Sequence, residues 1–169
     1  MTWYADLGPI DYFGEDEFPN LRAVGWLGEG HPYPQGEVSA LFFERLCGLL
    51  LAPWQPGFFM GAHRCDLCPW EVPPGPDPGK GFTPEERRSR LAGVRKEEEP
   101  ISVGDKFVEM GAANLWVPGE GCVYVAPSLI AHYIRVHRYV PPGEFVDAVM
   151  RCPEMGSEEY RRALGASST

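Results

Sequence analysis

Apolar residues recur at helical spacing in the segment from Glu37 to Leu51. The stripe consists of Val38, Leu41, Phe42, Leu46, Leu49 and Leu50, and Pro53 follows it. Residues three and four apart lie on one face of a helix, and proline cannot continue one, so the pattern predicts a core helix that ends before Pro53. Similar spacing predicts two shorter helices, Gly143 to Arg151 and Ser157 to Leu164, with Ser157 as the cap of the second.

Short apolar runs bounded by turn residues predict strands. They are Arg22 to Leu27, Phe58 to Ala62, Ile101 to Val108, Asn114 to Val117 and Cys122 to Ala126. The turn sequence Pro118-Gly119-Glu120-Gly121 joins the last two runs, which are therefore predicted to form a hairpin.

A helix with two histidines is predicted directly after this hairpin. Pro127 and Ser128 open it, Pro141-Pro142 ends it, and it carries His132 and His137. Its buried stripe is predicted to be Leu129, Ile130, Tyr133 and Ile134.

Between Pro69 and Pro100 the apolar pattern stops. A proline and glycine run at 73–79 leads to a charged tract, Glu85 to Glu99, in which five acids and five bases cancel. Thr83-Pro84 is a helix start, which predicts a short helix from Pro84 to Leu91. We expect residues 69–100 to be a surface insertion in a single domain of residues 1–169.

These elements together predict an α+β fold. A small, largely antiparallel sheet would pack against helices, with a zinc knuckle, a hairpin and a helix forming a metal site. The 18 prolines and 20 glycines among 169 residues predict short elements joined by long connections.

The formal net charge of −9 argues against nucleic acid as a partner. Phosphate binding depends on lysine and arginine releasing counterions, whereas residues 1–36 hold six acids and one base. The acidic face is either simply solvated or a surface that meets a basic protein, since complementary charge accelerates association.

The amino-terminal residues lack the basic start and apolar core of a signal peptide, and no apolar run is long enough to span a membrane. We expect a cytoplasmic location. In a reducing compartment, cysteines are metal ligands or buried thiols more often than disulfides. Cys47, Cys122 and Cys152 fit the description of buried thiols.

Two separate segments carry the types of ligand that tetrahedral zinc prefers. The first contains His63, Cys65 and Cys68, and the second is the helix of His132 and His137. We predict one Zn²⁺ site formed by Cys65, Cys68, His132 and His137, with His63 as a substitute ligand or a hydrogen-bonding neighbour. Histidines five apart lie about 140° apart on an ideal helix, so the site requires a distorted or ending turn.

Other interpretations of these residues stay open. A CxxC pair can be redox active, although the strand, CxxC and helix order of thioredoxin-like proteins is absent because Pro69 follows Cys68. The histidines can also be hydrogen-bonded core residues without a metal. Four protein ligands close the shell of a structural zinc, whereas a catalytic zinc keeps one position for water. Glu71 is near the knuckle in sequence, but no HExxH or deaminase pattern accompanies it.

The chain resembles a family of small uncharacterised bacterial proteins. The likeness lies in residues 4–7 with 12–14, in 25–27 with 30–32, in 61–68, and in 132–139 with Pro141-Pro142 and Phe145. It spans most of the chain except the Pro69 to Pro100 excursion. No activity is attached to the family, so the resemblance implies only that His63, Cys65, Cys68, His132 and His137 belong together.

These observations favour a zinc-binding protein with a structural Cys2His2-type site. Its expected role is to bind another protein, with neutralisation of a basic toxin by an immunity-type protein as one form of that role. The alternative is a zinc-dependent hydrolase with an open metal site. The sequence leaves the oligomeric state undetermined.

Overall fold

The computed structural model describes residues 2–11, 20–56, 65–68 and 101–167. The chain divides into two compact units, residues 1–67 with 100–169, and residues 68–99. Of the second unit only Cys68 is described. The predicted strand from Phe58 to Ala62, the helix from Pro84 to Leu91 and the surface insertion at 69–100 lie outside the described residues, and the single domain stays a prediction.

The described residues contain five strands and four helices of an α+β fold, as predicted. In chain order they are β1 Leu21–Ala23, α1 Ala40–Leu50, β2 Ile101–Val103, β3 Lys106–Val108, β4 Asn114–Pro118, β5 Val123–Pro127, α2 Ile130–His137, α3 Gly143–Arg151 and α4 Glu158–Ser167.

Strand β5 lies at the centre of a three-stranded sheet with the order β1-β5-β4. It pairs antiparallel with β4, where Trp116 lies opposite Val125, and parallel with β1, where Leu21 lies opposite Val123. The turn that joins β4 to β5 is closed by a hydrogen bond of 2.9 Å from the Gly119 amide to the Cys122 carbonyl. The predicted hairpin is thereby confirmed.

Both faces of this sheet are covered, which explains why β4 and β5 are buried almost throughout instead of alternating. On one face Trp116 and Val125 belong to a buried cluster with Trp26 and residues of β1. On the other, the Tyr124 ring packs edge-on against Phe145 of α3 at 5.9 Å, and Phe145 packs against Phe42 of α1 at 6.5 Å.

Helix α1 is shorter than predicted and buries a different stripe. Ser39 caps it, because its hydroxyl accepts the Phe42 amide at 3.2 Å. Phe42, Leu46, Leu49 and Leu50 are buried as expected, but Leu41 is 65% exposed and Cys47 is buried instead. Successive helix positions differ by about 100°, so Leu41, next to Phe42, points away from the stripe.

Two strand predictions are corrected. The run Ile101 to Val108 is a hairpin, β2 paired with β3, because a two-residue turn at 104–105 interrupts it and Gly104 has φ +61°. The run Arg22 to Leu27 is strand only at Arg22 and Ala23, the end of β1, because Gly25 leaves the strand direction with φ +71°. A Cβ at Gly25 would lie 3.0 Å from the Ile130 side chain, and with this φ any other residue there would be strained.

The carboxy-terminal helices match their predictions closely. Helix α3 has the predicted bounds, and α4 begins after Ser157, whose hydroxyl accepts the Tyr160 amide at 3.0 Å. Among the described residues, no helix combines the length and apolarity needed to cross a bilayer.

Candidate metal centre

The knuckle and the histidine helix meet in one cluster. The thiol sulfurs of Cys65 and Cys68 and one ring nitrogen each of His132 and His137 all lie within 4.8 Å of one another. The four belong to segments that are more than sixty residues apart in sequence, 65–68 and 130–137. The structure therefore brings together four of the five predicted ligands, and such a group could hold a metal ion.

His63, the fifth predicted ligand, lies outside the described residues. Within the described ranges, no carboxylate oxygen belongs to this Cys2His2 group. The prediction that His63 substitutes for a ligand or supports one stays a prediction.

The distances within the cluster fit the size of a tetrahedral site. Zinc binds sulfur at about 2.3 Å and nitrogen at about 2.0 Å, so a tetrahedral sulfur–nitrogen edge measures roughly 3.5 Å. The Cys65 sulfur lies 3.2 Å from Nε2 of His137, close to that edge. In the absence of a metal, the same separation suits a hydrogen bond between thiol and imidazole.

Burial of the cluster favours a charge-neutral assembly. Cys65 and His132 have no exposed surface, Cys68 is 4% exposed and His137 is half-buried. Two buried thiolates without a counter-charge would be strongly destabilising. Two thiolates, two neutral imidazoles and one divalent cation sum to zero charge, so the donor set and its burial suit a divalent metal.

The last turn of α2 explains how histidines five apart come together. The carbonyl oxygen of Tyr133 accepts the amide of Arg138, a bond across five residues, and also that of Tyr139 at 3.1 Å. A five-residue bond closes a wider turn than the usual α-helical bond. The centroids of the His132 and His137 rings are accordingly only 5.1 Å apart. The distorted, ending turn predicted for this site is confirmed.

The chain beyond His137 is fixed by pairing with the loop before α1. Arg138 adopts the left-handed conformation with φ 55°, which turns the backbone away from the helix axis. Its carbonyl accepts the Gly36 amide at 2.9 Å, and the Val140 amide donates to the Pro34 carbonyl at 3.0 Å. His137 thus occupies a turn that is held on its far side by regular backbone hydrogen bonds.

A part-buried network of Asp6, Gly25 and Tyr139 supports the same turn. One carboxylate oxygen of Asp6 accepts both the Gly25 amide and the Tyr139 hydroxyl, each at 2.9 Å. Burial raises the pKa of Asp6, although both hydrogen bonds oppose that rise. Burial, with the nearby Asp6 charge, also raises the pKa of Tyr139 well above its ordinary value. Tyr139 therefore remains a hydroxyl donor.

Sequence reasoning did not find this network as a support of the site. Asp6 and Tyr139 are 133 residues apart, and neither belongs to a periodic or ligand-spacing pattern. The one available signal was that both positions fall within the segments on which the family resemblance rests.

The remaining described cysteines are separate from the cluster. Cys47 and Cys152 are buried free thiols, as predicted, and Cys122 is a half-buried one. Burial raises the pKa of both Cys47 and Cys152 to about 11, with Arg135 and Arg45 respectively acting against the rise. Such thiols are poor nucleophiles and poor metal ligands at neutral pH.

Comparison with known proteins places the chain in a family. A family model described as "Domain of unknown function (DUF7919)" matches residues 2–150. The chain belongs to this family. No curated protein and no solved structure matches the chain significantly. The DUF7919 match includes all four clustered residues, and it attaches no activity to them.

Proposed function

We propose that this DUF7919 chain binds one zinc ion through Cys65, Cys68, His132 and His137. The observation that carries the proposal is the convergence of four soft donors within 4.8 Å. Two sulfurs and two imidazole nitrogens favour zinc over magnesium or calcium, which prefer oxygen ligands.

In this proposal the zinc is structural. Four protein ligands complete a tetrahedral shell, and the mostly buried donors leave little access for a substrate. The ion fastens the CxxC knuckle to helix α2, and through α2 to the loop that pairs with residues 138–140.

Metal analysis with native mass spectrometry on the full chain, purified without a histidine tag, tests this site directly. The expected result is one zinc per chain. Cobalt substitution should give the intense visible absorption of a four-coordinate site with thiolate ligands. Cys65→Ser should lose the metal, whereas Cys122→Ser, the matched control outside the cluster, should keep it. A chain without metal would overturn the proposal.

The alternative, a zinc-dependent hydrolase, requires an open coordination position. X-ray absorption spectroscopy of the zinc-bound chain separates the two. Two sulfur ligands and two imidazole rings, which are recognised by their outer-shell scattering, support the structural zinc. Three protein ligands and one water would support the hydrolase instead.

We further propose that the protein acts by binding another protein, with an immunity-type role against a basic toxin as one form of it. The net charge of −9 supports a basic partner, because opposite charge accelerates encounter and disfavours acidic competitors.

A further inference from the structure

Helix α1 and strand β2 flank a groove of about 330 Å³. The helix contributes Ala40, Phe43, Glu44 and Cys47, and the strand side contributes residues 101–104. All eight belong to the same compact unit of the chain. The groove is distinct from the metal cluster, whose ligands do not line it.

The groove runs along the edge of β2. Consecutive strand residues point to opposite faces of a sheet, so four consecutive residues can line one cavity only where it follows the strand's edge. Val103 and Lys106 flank a two-residue turn and form a hydrogen-bonded pair. Ser102 and Phe107 are then the next, non-bonded pair. The amide and carbonyl of Ser102 therefore point away from β3, towards the groove.

Among the described residues, no strand pairs with this edge of β2. Ser102 is exposed, and no hydrogen bond joins its outward amide or carbonyl to another residue of the described ranges. Open strand edges bind extended peptides by main-chain hydrogen bonds, with pockets selecting alternate side chains. The shape of the occupant is thus an extended segment.

The residues that α1 contributes to the groove indicate which side chains the bound segment should carry. Ala40, Phe43 and Cys47 lie at helical spacing and form an apolar floor, and Glu44 is the one charged residue in the described lining. Leu41, three positions before Glu44 and 65% exposed, extends the apolar surface beyond it. A matching segment carries an apolar side chain and, near it, a basic one.

We propose that this groove binds an extended, basic segment of a partner protein. The segment adds to β2 along Ser102, inserts an apolar side chain between Phe43 and Cys47, and places a lysine or arginine against Glu44. The inference rests on the proposed protein-binding function and names its surface. A second copy of this chain is a poorer occupant, because both copies carry a net charge of −9.

A displayed library of random octapeptides, selected against the full chain purified from zinc-supplemented growth, tests the groove. The expected binders combine lysine or arginine with a neighbouring valine, isoleucine or leucine. Their amide resonance perturbations should include residues 101–104. Failure to select binders, or selection of acidic ones, would overturn the proposal.

Three variants sharpen the result. Glu44→Lys should weaken the selected peptides at least tenfold, whereas Glu120→Lys, an exposed control in the β4–β5 turn, should change binding less than twofold. Ser102→Pro removes the outward amide without removing a β2–β3 bond, so it should also weaken binding at least tenfold. Unchanged melting temperatures and zinc content show that the variants fold. Equal effects of both lysine variants would overturn the assignment.

Three further outcomes separate this inference from self-association and from the metal proposal. Concentration-dependent dimers that Ser102→Pro abolishes would identify a second copy as the occupant and overturn it. Peptide binding by a chain without zinc would overturn the metal proposal and support the groove. A zinc-bound chain that binds no peptide would overturn the groove proposal and support the metal site.

Discussion

The β4–β5 hairpin and the metal cluster are stabilised in different ways. The hairpin joins neighbouring segments, Asn114–Pro118 and Val123–Pro127, through a row of backbone hydrogen bonds and buried apolar side chains. The cluster joins residues 65–68 to residues 132–137 through four donor atoms. Stabilisation is therefore distributed over many contacts in the hairpin, whereas in the cluster it depends on a few atoms and the proposed ion. Substitutions in the hairpin should therefore lower stability by amounts that depend on how many contacts each one removes. Loss of a single ligand from the cluster should remove most of its stabilisation at once.

The largest expected effect comes from removing a ligand. Cys65→Ser should abolish zinc binding and lower the free energy of unfolding by about 4 kcal/mol when free zinc exceeds the dissociation constant a thousandfold. Urea unfolding monitored by circular dichroism, with metal content measured on the same samples, checks both. Chelation of the wild-type metal should reproduce the loss, and Cys122→Ser should show neither change. Loss of metal with an unchanged unfolding curve would contradict the structural role.

Truncation in the hairpin core should destabilise the fold without removing the metal. Trp116 is 2% exposed and lies in the buried apolar core with Trp26 and Val125. Trp116→Ala should lower the free energy of unfolding by roughly 3–5 kcal/mol through lost contacts and the cavity left behind. If that variant does not fold, Val125→Ala gives a milder test. The folded fraction should retain one zinc per chain, and coupled loss of metal would show that the two regions are not independent.

The hairpin could be predicted from the sequence because neighbouring residues specify it. Apolar runs on either side of a turn sequence specify the pairing of residues 114–118 with 123–127. The sequence also predicted the cluster, since cysteine and histidine have few roles that require them at these spacings. The split of β2 from β3 was missed, although the turn dipeptide Gly104-Asp105 was a visible signal in the sequence.

Other features could not be predicted, because they depend on tertiary contacts between residues that are distant in sequence. Leu41 fits the apolar stripe by type, but only packing against α3, β2 and α2 decides which face of α1 is buried. The bond between Asp6 and Tyr139 joins positions that no short-range rule connects. The groove beside Ser102 likewise exists only because α1 and β2 meet in the fold.

Two buried tyrosine hydroxyls provide a matched test of the support around His137. The Tyr139 hydroxyl donates to Asp6, and the Tyr160 hydroxyl donates to the Trp116 carbonyl at 2.7 Å. Each change to phenylalanine should cost about 1–2 kcal/mol in unfolding free energy. Only Tyr139→Phe should also weaken zinc, by roughly three- to tenfold in chelator competition, because it loosens the turn that places His137. Equal zinc affinities in the two variants would show that the Asp6 bond does not position the ligand.

The smallest expected effect is a pH dependence in the same network. Burial raises the pKa of Asp6 above its ordinary value of 3.8, so the folded protein holds this proton more tightly than the unfolded chain does. The contribution of Asp6 to stability is then greatest below that value and declines as pH rises through the raised pKa. Asp6→Asn keeps an acceptor oxygen but cannot titrate.

The unfolding free energy of the wild type minus that of Asp6→Asn should therefore fall with pH from about 4 upward and level off above the raised pKa. Urea unfolding of both proteins at matched pH values measures this difference, and any loss of zinc at low pH that both proteins share cancels in it. A difference that instead grows with pH would mean that the folded protein favours the carboxylate. In that case the hydrogen bonds from Gly25 and Tyr139 would outweigh burial, and the turn beyond His137 would depend on a charged support.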